Sequence, residues 1–213
     1  MSSCLIELHY LPSVQYFATL AKHKVITLER HEHFVKQSYR SRCLINTSQG
    51  PQTLIVPLSG KHNAAADGFS KSLITDVQID YSQKWLNNHW RSIQAAYAKA
   101  PFFEYYADAL HAILFKQYPH LYELNRNLLT LCLKWLKLDI QIQESLAYQK
   151  QTASGEIDLR NAISAKNKGL ISAGPHFKPY TQVFGNAFVN NLSIIDLIFC
   201  TGPQALTYLQ EVE

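Results

Sequence analysis

Cysteine is scarce and scattered. The four thiols, Cys4, Cys43, Cys132 and Cys200, form no C-x-x-C pair. That spacing fits neither a zinc site nor a disulfide-dense secreted scaffold, and leaves buried free thiols as the expectation. Basic charge is thin as well: 20 Lys and Arg face 16 Asp and Glu, a net charge of +4. With no basic arm and no RNA-binding signature, nucleic acid is excluded as a partner, while the mild excess suits an anionic small molecule such as a nucleotide-sugar or acyl donor. No apolar run approaches the roughly 18 residues of a membrane span. The opening MSSCLIELHYLP lacks a basic n-region, and its apolar run is too short for a signal peptide, so a soluble, cytoplasmic protein is expected. Also missing are GxxxxGK[ST], GxGxxG, HExxH and GxSxG, which removes support for the usual nucleotide-loop, zincin and hydrolase-elbow mechanisms. There is no internal repeat and no low-complexity segment. The sequence names no cofactor and no oligomeric state.

What is present is a core. Of 213 residues, 47% are apolar and 12% aromatic, enough for a single domain over 1–213. CLIELH reads as a first strand, stopped by Tyr10-Leu11-Pro12, and Ser13 is placed to cap a helix from Val14. Lys24–Glu29 is β-branched and brief, a second strand. Strand, helix, strand predicts a βαβ unit with a parallel sheet. Cys43–Ile45 and Thr53–Leu58 read as a hairpin with Gly50 and Pro51 in its turn. Ser59–Ser70 is a loop, long enough to be functional, and Leu73–Ile79 a further strand candidate. Helices follow over Asp80–Ala100, Phe102–Phe115 and Tyr122–Leu138, the last with Leu124, Leu128, Leu131 and Trp135 at helical spacing. Ile140–Glu144 is a short strand candidate, Gln149–Gly155 a turn or linker, and Asn161–Pro175 loop-like. Leu192–Phe199, capped by Asn191, reads better as a helix than as a strand, and a last short helix follows Pro203. The fold class is therefore α/β: an N-terminal βαβ-type, Rossmann-like sheet with a helical C-terminal half. It divides into a strand-rich 1–80, a helical 81–138 and a mixed 139–213.

The densest polar stretch is His31–Arg42, HEHFVKQSYRSR. If Lys36–Arg42 is helical, Lys36 and Arg40 share a face, and with Arg42 they form a basic surface for a phosphate or carboxylate. Tyr39 interleaves with these charges. The competing reading is a solvated face paired with Glu29 and Glu32. His31 and His33 share a side of an extended chain, but a third metal ligand, His9 or His62, is fixed by nothing, so no metal site is assigned. Trp85–Arg91 opens a helix in which His89 and Arg91 are candidates for proton transfer and charge stabilisation. Trp90 and Tyr105 are candidates to stack on a sugar ring, against the plain alternative of buried aromatics. Glu104 and Asp108 sit one turn apart, a common surface pattern. Asp158 and Arg160 read as a structural pair. Lys178 and Tyr180, in HFKPY, form a candidate ligand lip. Asp196 lies inside an apolar run and needs a partner, for which any of the Arg or Lys above is available. Cys43 follows Arg42, yet a Cys opening a strand reads as core.

Taken in order, YLPSVQYF, HEHFVKQSYRSRCLI, LIVPL, IDYSQKWLNNHWRSIQAAYAKAPFFEYYAD, FKPYTQVF and LSIIDLIFCTGPQAL resemble the WbqC-like protein family over nearly the whole chain. Where that family opens with Gln-Pro-x-x-x-Pro, this chain has His9-Tyr10 and Pro12. Where many members carry an acidic pair after the second strand, it has His31-Glu32, so an acidic metal-binding or base role implied there carries over only to Glu32. The resemblance implies a bacterial cytosolic protein of O-antigen or other surface-polysaccharide assembly, with transfer of a glycine-like aminoacyl group onto a sugar or nucleotide-sugar as the implied activity. It brings no catalytic residues with it. Two functions stand side by side: a transferase using the residues above, and a non-catalytic module that binds a sugar-linked ligand or docks on an assembly complex. A nucleotidyltransferase-like relative is a weaker third, since the His-containing phosphate motif is missing and fold alone gives no function.

Overall fold

The first 55 residues form a parallel βαβ unit followed by a separate two-stranded hairpin. In the computed structural model, which describes residues 3–59, 72–152, 155–164, 177–185 and 187–211, strand β1 (Ser3–Ile6) leads into helix α1 (Val14–Leu20). Ser13 caps α1, its hydroxyl accepting from the Tyr16 amide at 3.4 Å. Strand β2 (Val25–Leu28) then returns parallel to β1, with Ser3 opposite Val25 and Ile6 opposite Leu28. Strands β3 (Arg42–Thr47) and β4 (Gly50–Ile55) form the expected hairpin. Its antiparallel register runs from Arg42↔Ile55 to Thr47↔Gly50. The connection is only Ser48–Gln49, so Gly50 and Pro51 belong to β4 rather than to the turn, a correction to their expected place. Gly50 takes φ +93° there, which glycine adopts without a Cβ penalty.

Two further segments depart from expectation. Residues 36–40 are turns, not helix, with Gln37 at φ +57°, so Lys36 and Arg40 do not share a helix face. Leu73–Ile79 is not a ladder strand. Ile74–Asp76 is a 3₁₀ turn, because the backbone groups around it go to different partners: the Ile74 amide bonds Glu32 O, and Leu73 and Gln78 make isolated bridges to His33 and His120.

Helices α2 (Trp85–Tyr97), α3 (Phe103–Leu114) and α4 (Leu121–Trp135) appear where periodicity placed them. The buried positions of α4, from Leu121 through Leu124, Leu128 and Cys132, follow the three-and-four spacing of one apolar stripe. After α4 come β5 (Gln141–Glu144) and β6 (Glu156–Asp158). Both pair in parallel, β5 with β2 and β6 with β1, giving the sheet order β5-β2-β1-β6. The interior strand β1 buries Cys4, Leu5 and Ile6 on both faces, as its unbroken apolar run requires.

Helix α5 (Ile194–Thr201) is buried at every position, and α6 (Ala205–Gln210) closes the chain over α1 and α5. A helix apolar all round belongs inside. Ser193, not Asn191, occupies its cap position, while Asn191 bonds Gln15 at the start of α1 through both side-chain atoms. Gly202 ends α5 at φ +54°, and a Cβ placed there would lie 2.5 Å from the Phe102 ring, so neither the backbone nor the packing admits another residue. The Ser59–Ser70 loop beyond Ser59, and with it His62, lies outside the described residues, as do 165–175 and His176.

Candidate functional site

Because all four sheet strands are parallel, their carboxyl ends open on one edge, the edge at which open α/β sheets bind ligands. Each delivers a polar residue to it: Glu7 and His9 follow β1, Glu29 follows β2, Ser145 follows β5, and Arg160 and Asn161 follow β6. The turn after β2 adds Glu32, and the one before β3 adds Arg40.

Arg40 is the hub. It is 2% exposed, and its fork meets Glu32 through Nε at 2.7 Å and Nη2 at 2.5 Å. Nη2 also donates to Asn161 Oδ1 at 3.0 Å and lies 3.8 Å from Glu7 Oε1. Helix α4 fixes the backbone of Arg40, the Asn125 amide donating to its carbonyl at 2.8 Å. Glu7 in turn accepts from the Asn161 amide at 2.9 Å and from His9 Nε2 at 3.1 Å. The His9 ring is held between Tyr16 (centroids 4.8 Å) and Tyr39 (5.5 Å). With Nε2 donating, Nδ1 is an acceptor, and among the described residues it has no hydrogen-bond partner although His9 is only 1% exposed.

A second layer surrounds Glu29, which is fully buried. It accepts from the His31 amide at 2.9 Å, the Ser145 hydroxyl at 2.6 Å and Arg160 Nη1 at 3.1 Å. Arg160 also grips Asp158 at 2.6 Å and 3.0 Å, the structural pair expected from the sequence. In these two layers four carboxylates, of Glu7, Glu29, Glu32 and Asp158, face two guanidiniums, of Arg40 and Arg160, and among the described residues no group of His, Cys, Asp or Glu is arranged to hold a metal ion.

The electrostatics follow from burial. For Glu7, burial alone would raise the carboxyl, but the bond from His9, the Arg40 charge and the Asn161 amide bring it below its ordinary value. His9 moves down: burial disfavours imidazolium, and Arg40 adds to this, against the pull of Glu7. It therefore stands neutral at pH 7, able to accept a proton at Nδ1. Glu32 moves up, because burial and its neighbours Glu7 and Glu29 outweigh Arg40. Arg40 itself stays a cation, raised by Glu32 and Glu7 in spite of its burial. Three left-handed non-glycine residues border this edge: Leu11 at φ +41°, Gln37 at +57° and Asn161 at +60°. Such backbone costs of order 1–3 kcal/mol each and gathers at sites the surrounding structure over-determines.

The residues expected from sequence fall in separate places. Glu32, Arg40 and Tyr39 are in the cluster just described. Lys36 is exposed on its turn, and Arg42 is half-buried on β3 with its Nε unpartnered among the described residues. His89 is buried on α2, where its Nδ1 meets the Tyr10 hydroxyl at 3.1 Å and its ring packs edge-on against Trp85. Burial lowers it to about 4, a backbone bond to Ile55 opposing. Arg91, on the same helix, is exposed. Trp90 packs against Phe103 and His111, and Tyr105 stands 81% exposed on α3. Lys178 pairs with Glu211, and Tyr180 with Asp196. The expectation that Asp196 pairs with a cation is corrected: Tyr180 and Tyr97 hydroxyls and the Gln182 amide satisfy it at 2.6, 3.0 and 3.0 Å. Cys43 is core, its thiol pushed up by burial.

A model of the WbqC-like protein family matches residues 8–175 and 166–208. The chain belongs to that family. A relative from Mycobacterium tuberculosis (strain ATCC 25618 / H37Rv), the uncharacterised protein Rv1507c, is 27% identical over 232 aligned positions, covering 97% of this chain and 96% of its own. No solved structure matches the chain. Within this WbqC-like chain, no helix among the described residues is long and apolar enough to cross a membrane. Glu7, Glu29 and Asn161 carry no site expectation from sequence, and His9 enters there only as a possible third metal ligand. The signal that finds them is position, one to three residues beyond the end of a parallel strand.

Proposed function

We propose that this protein is a transferase of surface-polysaccharide (O-antigen-type) biosynthesis that moves an aminoacyl, glycine-like or related group onto a sugar or nucleotide-sugar, with the carboxyl edge of its sheet as the active site. One observation carries the reading: His9, buried and neutral, has Nε2 on the Glu7 carboxylate and an Nδ1 with no partner among the described residues. A carboxylate on one nitrogen orients the ring and stabilises imidazolium, which equips the other nitrogen as a general base. In this role Nδ1 takes the proton from the acceptor hydroxyl or amine as its O–C or N–C bond to the acyl carbon forms, and returns it to the leaving group of an activated acyl donor. Glu32 and Asn161 hold Arg40, and Arg40 holds Glu7. Since the fork of Arg40 is committed to Glu32, an anionic group of the donor or acceptor falls to Arg42, assisted by Lys36. Family membership supports the polysaccharide setting.

The test is a mass-spectrometric transfer assay with nucleotide-sugar acceptors and thioester or adenylate acyl donors. His9→Gln is expected to lower kcat by about 10²-fold or more while its melting temperature stays near that of the parent, and Arg42→Ala to raise KM. Full turnover by His9→Gln sinks the assignment. A second reading, a non-catalytic ligand carrier, is favoured by the closed Arg40–Glu32 pair, which is satisfied without a ligand. On that reading ligands raise the melting temperature and no donor gives product.

A further inference from the structure

A separate groove lies between residues 179–185 and 187–188 on one side and the C-terminal helices on the other. It has two lobes. One, of about 490 Å³, is lined by Gln182 and Phe188 among others, and the other, of about 380 Å³, by Phe102 and Gln204 among others. Tyr180, Thr181 and Tyr208 line both, so the two lobes are neighbours with shared walls. Each lobe falls in the range of small-molecule sites, roughly 300–1,000 Å³. None of its lining residues belongs to the Glu7–Arg40 cluster.

Its walls are built from aromatic rings and uncharged polar groups. Tyr180 meets Phe188 at 5.0 Å and Tyr208 at 5.7 Å, both edge-on, so the rings present surfaces at steep angles to one another. Phe188 and Tyr208 are half-buried, while Thr181 and Gln204 are exposed. The polar side is fixed from beneath. Asp196, fully buried in α5, accepts the Tyr180 hydroxyl and the Gln182 amide on one oxygen, and Gln182 also clasps Val189 through both ends of its amide. A buried carboxylate is costly, and here it orients two groove-lining side chains before any ligand arrives, the arrangement of a preorganised site.

The charge pattern selects the ligand. No Asp, Glu, Lys, Arg or His lines either lobe among the described residues. The nearby Lys178 is paired with Glu211 and lies 5.8 Å over the Tyr208 ring, so the rim contributes no net charge. A phosphate or carboxylate finds no free cation there, and a metal ion no carboxylate ligands. An apolar chain would leave the hydroxyl of Thr181 and the amide of Gln204 without use. A ring with an apolar C–H face and equatorial hydroxyls satisfies both kinds of wall. We infer that this groove binds an uncharged hexopyranose, stacked on Phe188 and Tyr208 and hydrogen-bonded at the Thr181 and Gln204 side. The inference holds whether or not the carboxyl edge is catalytic.

Saturation-transfer NMR on the full-length protein tests it, with methyl glycosides of glucose, galactose and N-acetylglucosamine as uncharged probes and methyl glucuronide and glucosamine as charged counterparts. At least one uncharged glycoside is expected to take up saturation at its ring protons and the charged counterparts to take up less. Tyr208→Ala is expected to weaken that binding about tenfold, and Tyr208→Phe to keep it. Circular dichroism of both variants shows whether the fold survives. Thr181→Val, at an exposed position, provides a second variant with a several-fold loss expected. Absence of transfer to every uncharged glycoside, equal binding by folded Tyr208→Ala, or tighter binding of a charged counterpart overturns the proposal.

Discussion

Among the described residues, two buried carboxylate centres are satisfied in opposite ways. At the sheet edge, Glu7, Glu29 and Glu32 are held by guanidiniums, with hydrogen bonds added from backbone amides, a histidine and a serine. In the C-terminal half, Asp196 sits in a helix buried on all sides and meets only neutral donors. The first centre gathers several charges, strained backbone and one buried acceptor with nothing to accept. The second has a donor for every contact and one carboxylate. Burial raises the carboxyls of both Glu32 and Asp196, and only at the first centre do neighbouring carboxylates, Glu7 and Glu29, add to it, the like-charge crowding that gathers at functional sites.

The contrast is tested most strongly at Arg40. Arg40→Ala strands Glu32 and Glu7 in the interior, for an expected loss of about 3–5 kcal/mol in urea denaturation. A loss under about 1 kcal/mol would show that the edge is wetter and less coupled than its geometry. Arg40→Lys, keeping the charge without the fork, is expected to fall between.

His89 is buried outside both centres, and it makes stability pH-dependent. Its folded value of about 4 lies below the unfolded 6.5, so the unfolded chain binds the proton first. The contribution is whole above pH 6.5 and lost as pH falls toward 4, by about 3 kcal/mol at most. Thermal melts over that window are expected to flatten in His89→Gln, and an unchanged pH slope would remove His89 as its source.

Asp196→Ala leaves the hydroxyls of Tyr97 and Tyr180 without their acceptor and is expected to cost about 2–3 kcal/mol. It therefore destabilises less than Arg40→Ala, and the reverse order would invert the comparison. Tyr105→Ala, at an exposed position away from both centres, is expected to stay within about 0.5 kcal/mol. Unchanged transferase turnover in the same variant would remove Tyr105 from the substrate-stacking role expected of it from sequence.

Much of the fold is legible in the sequence because periodicity and capping are local. Ser13 before Val14, the β-branched run at β2, the leucine spacing of α4 and the apolar α5 each carry their own signal. Strand β6 does not: Glu156, Ile157 and Asp158 are a strand only because β1 offers a free edge to pair with. Nothing local announces the positive φ of Gln37, which excludes the helix weighed for 36–40. The same limit hid half of the candidate site. Glu32 and Arg40 stand out in a dense polar segment, whereas Glu7, Glu29 and Asn161 matter through the topology that brings four strand ends together. The partners of Asp196 lie 14, 16 and 99 residues away in the chain, and no local rule chooses Tyr97 over a lysine.

The position of β1 between β2 and β6 has a consequence for the order of events at the ribosome. The N-terminal strands and α1 emerge early, yet one side of β1 keeps its amides and carbonyls unpaired until Glu156–Asp158 has been synthesised. Such an open strand is a template for intermolecular pairing. Arg160 and Asn161 arrive only with that last strand, so the nascent chain holds its acidic edge without two of the groups that steady it. Chains released early, before residue 156, are expected to aggregate rather than persist as stable fragments.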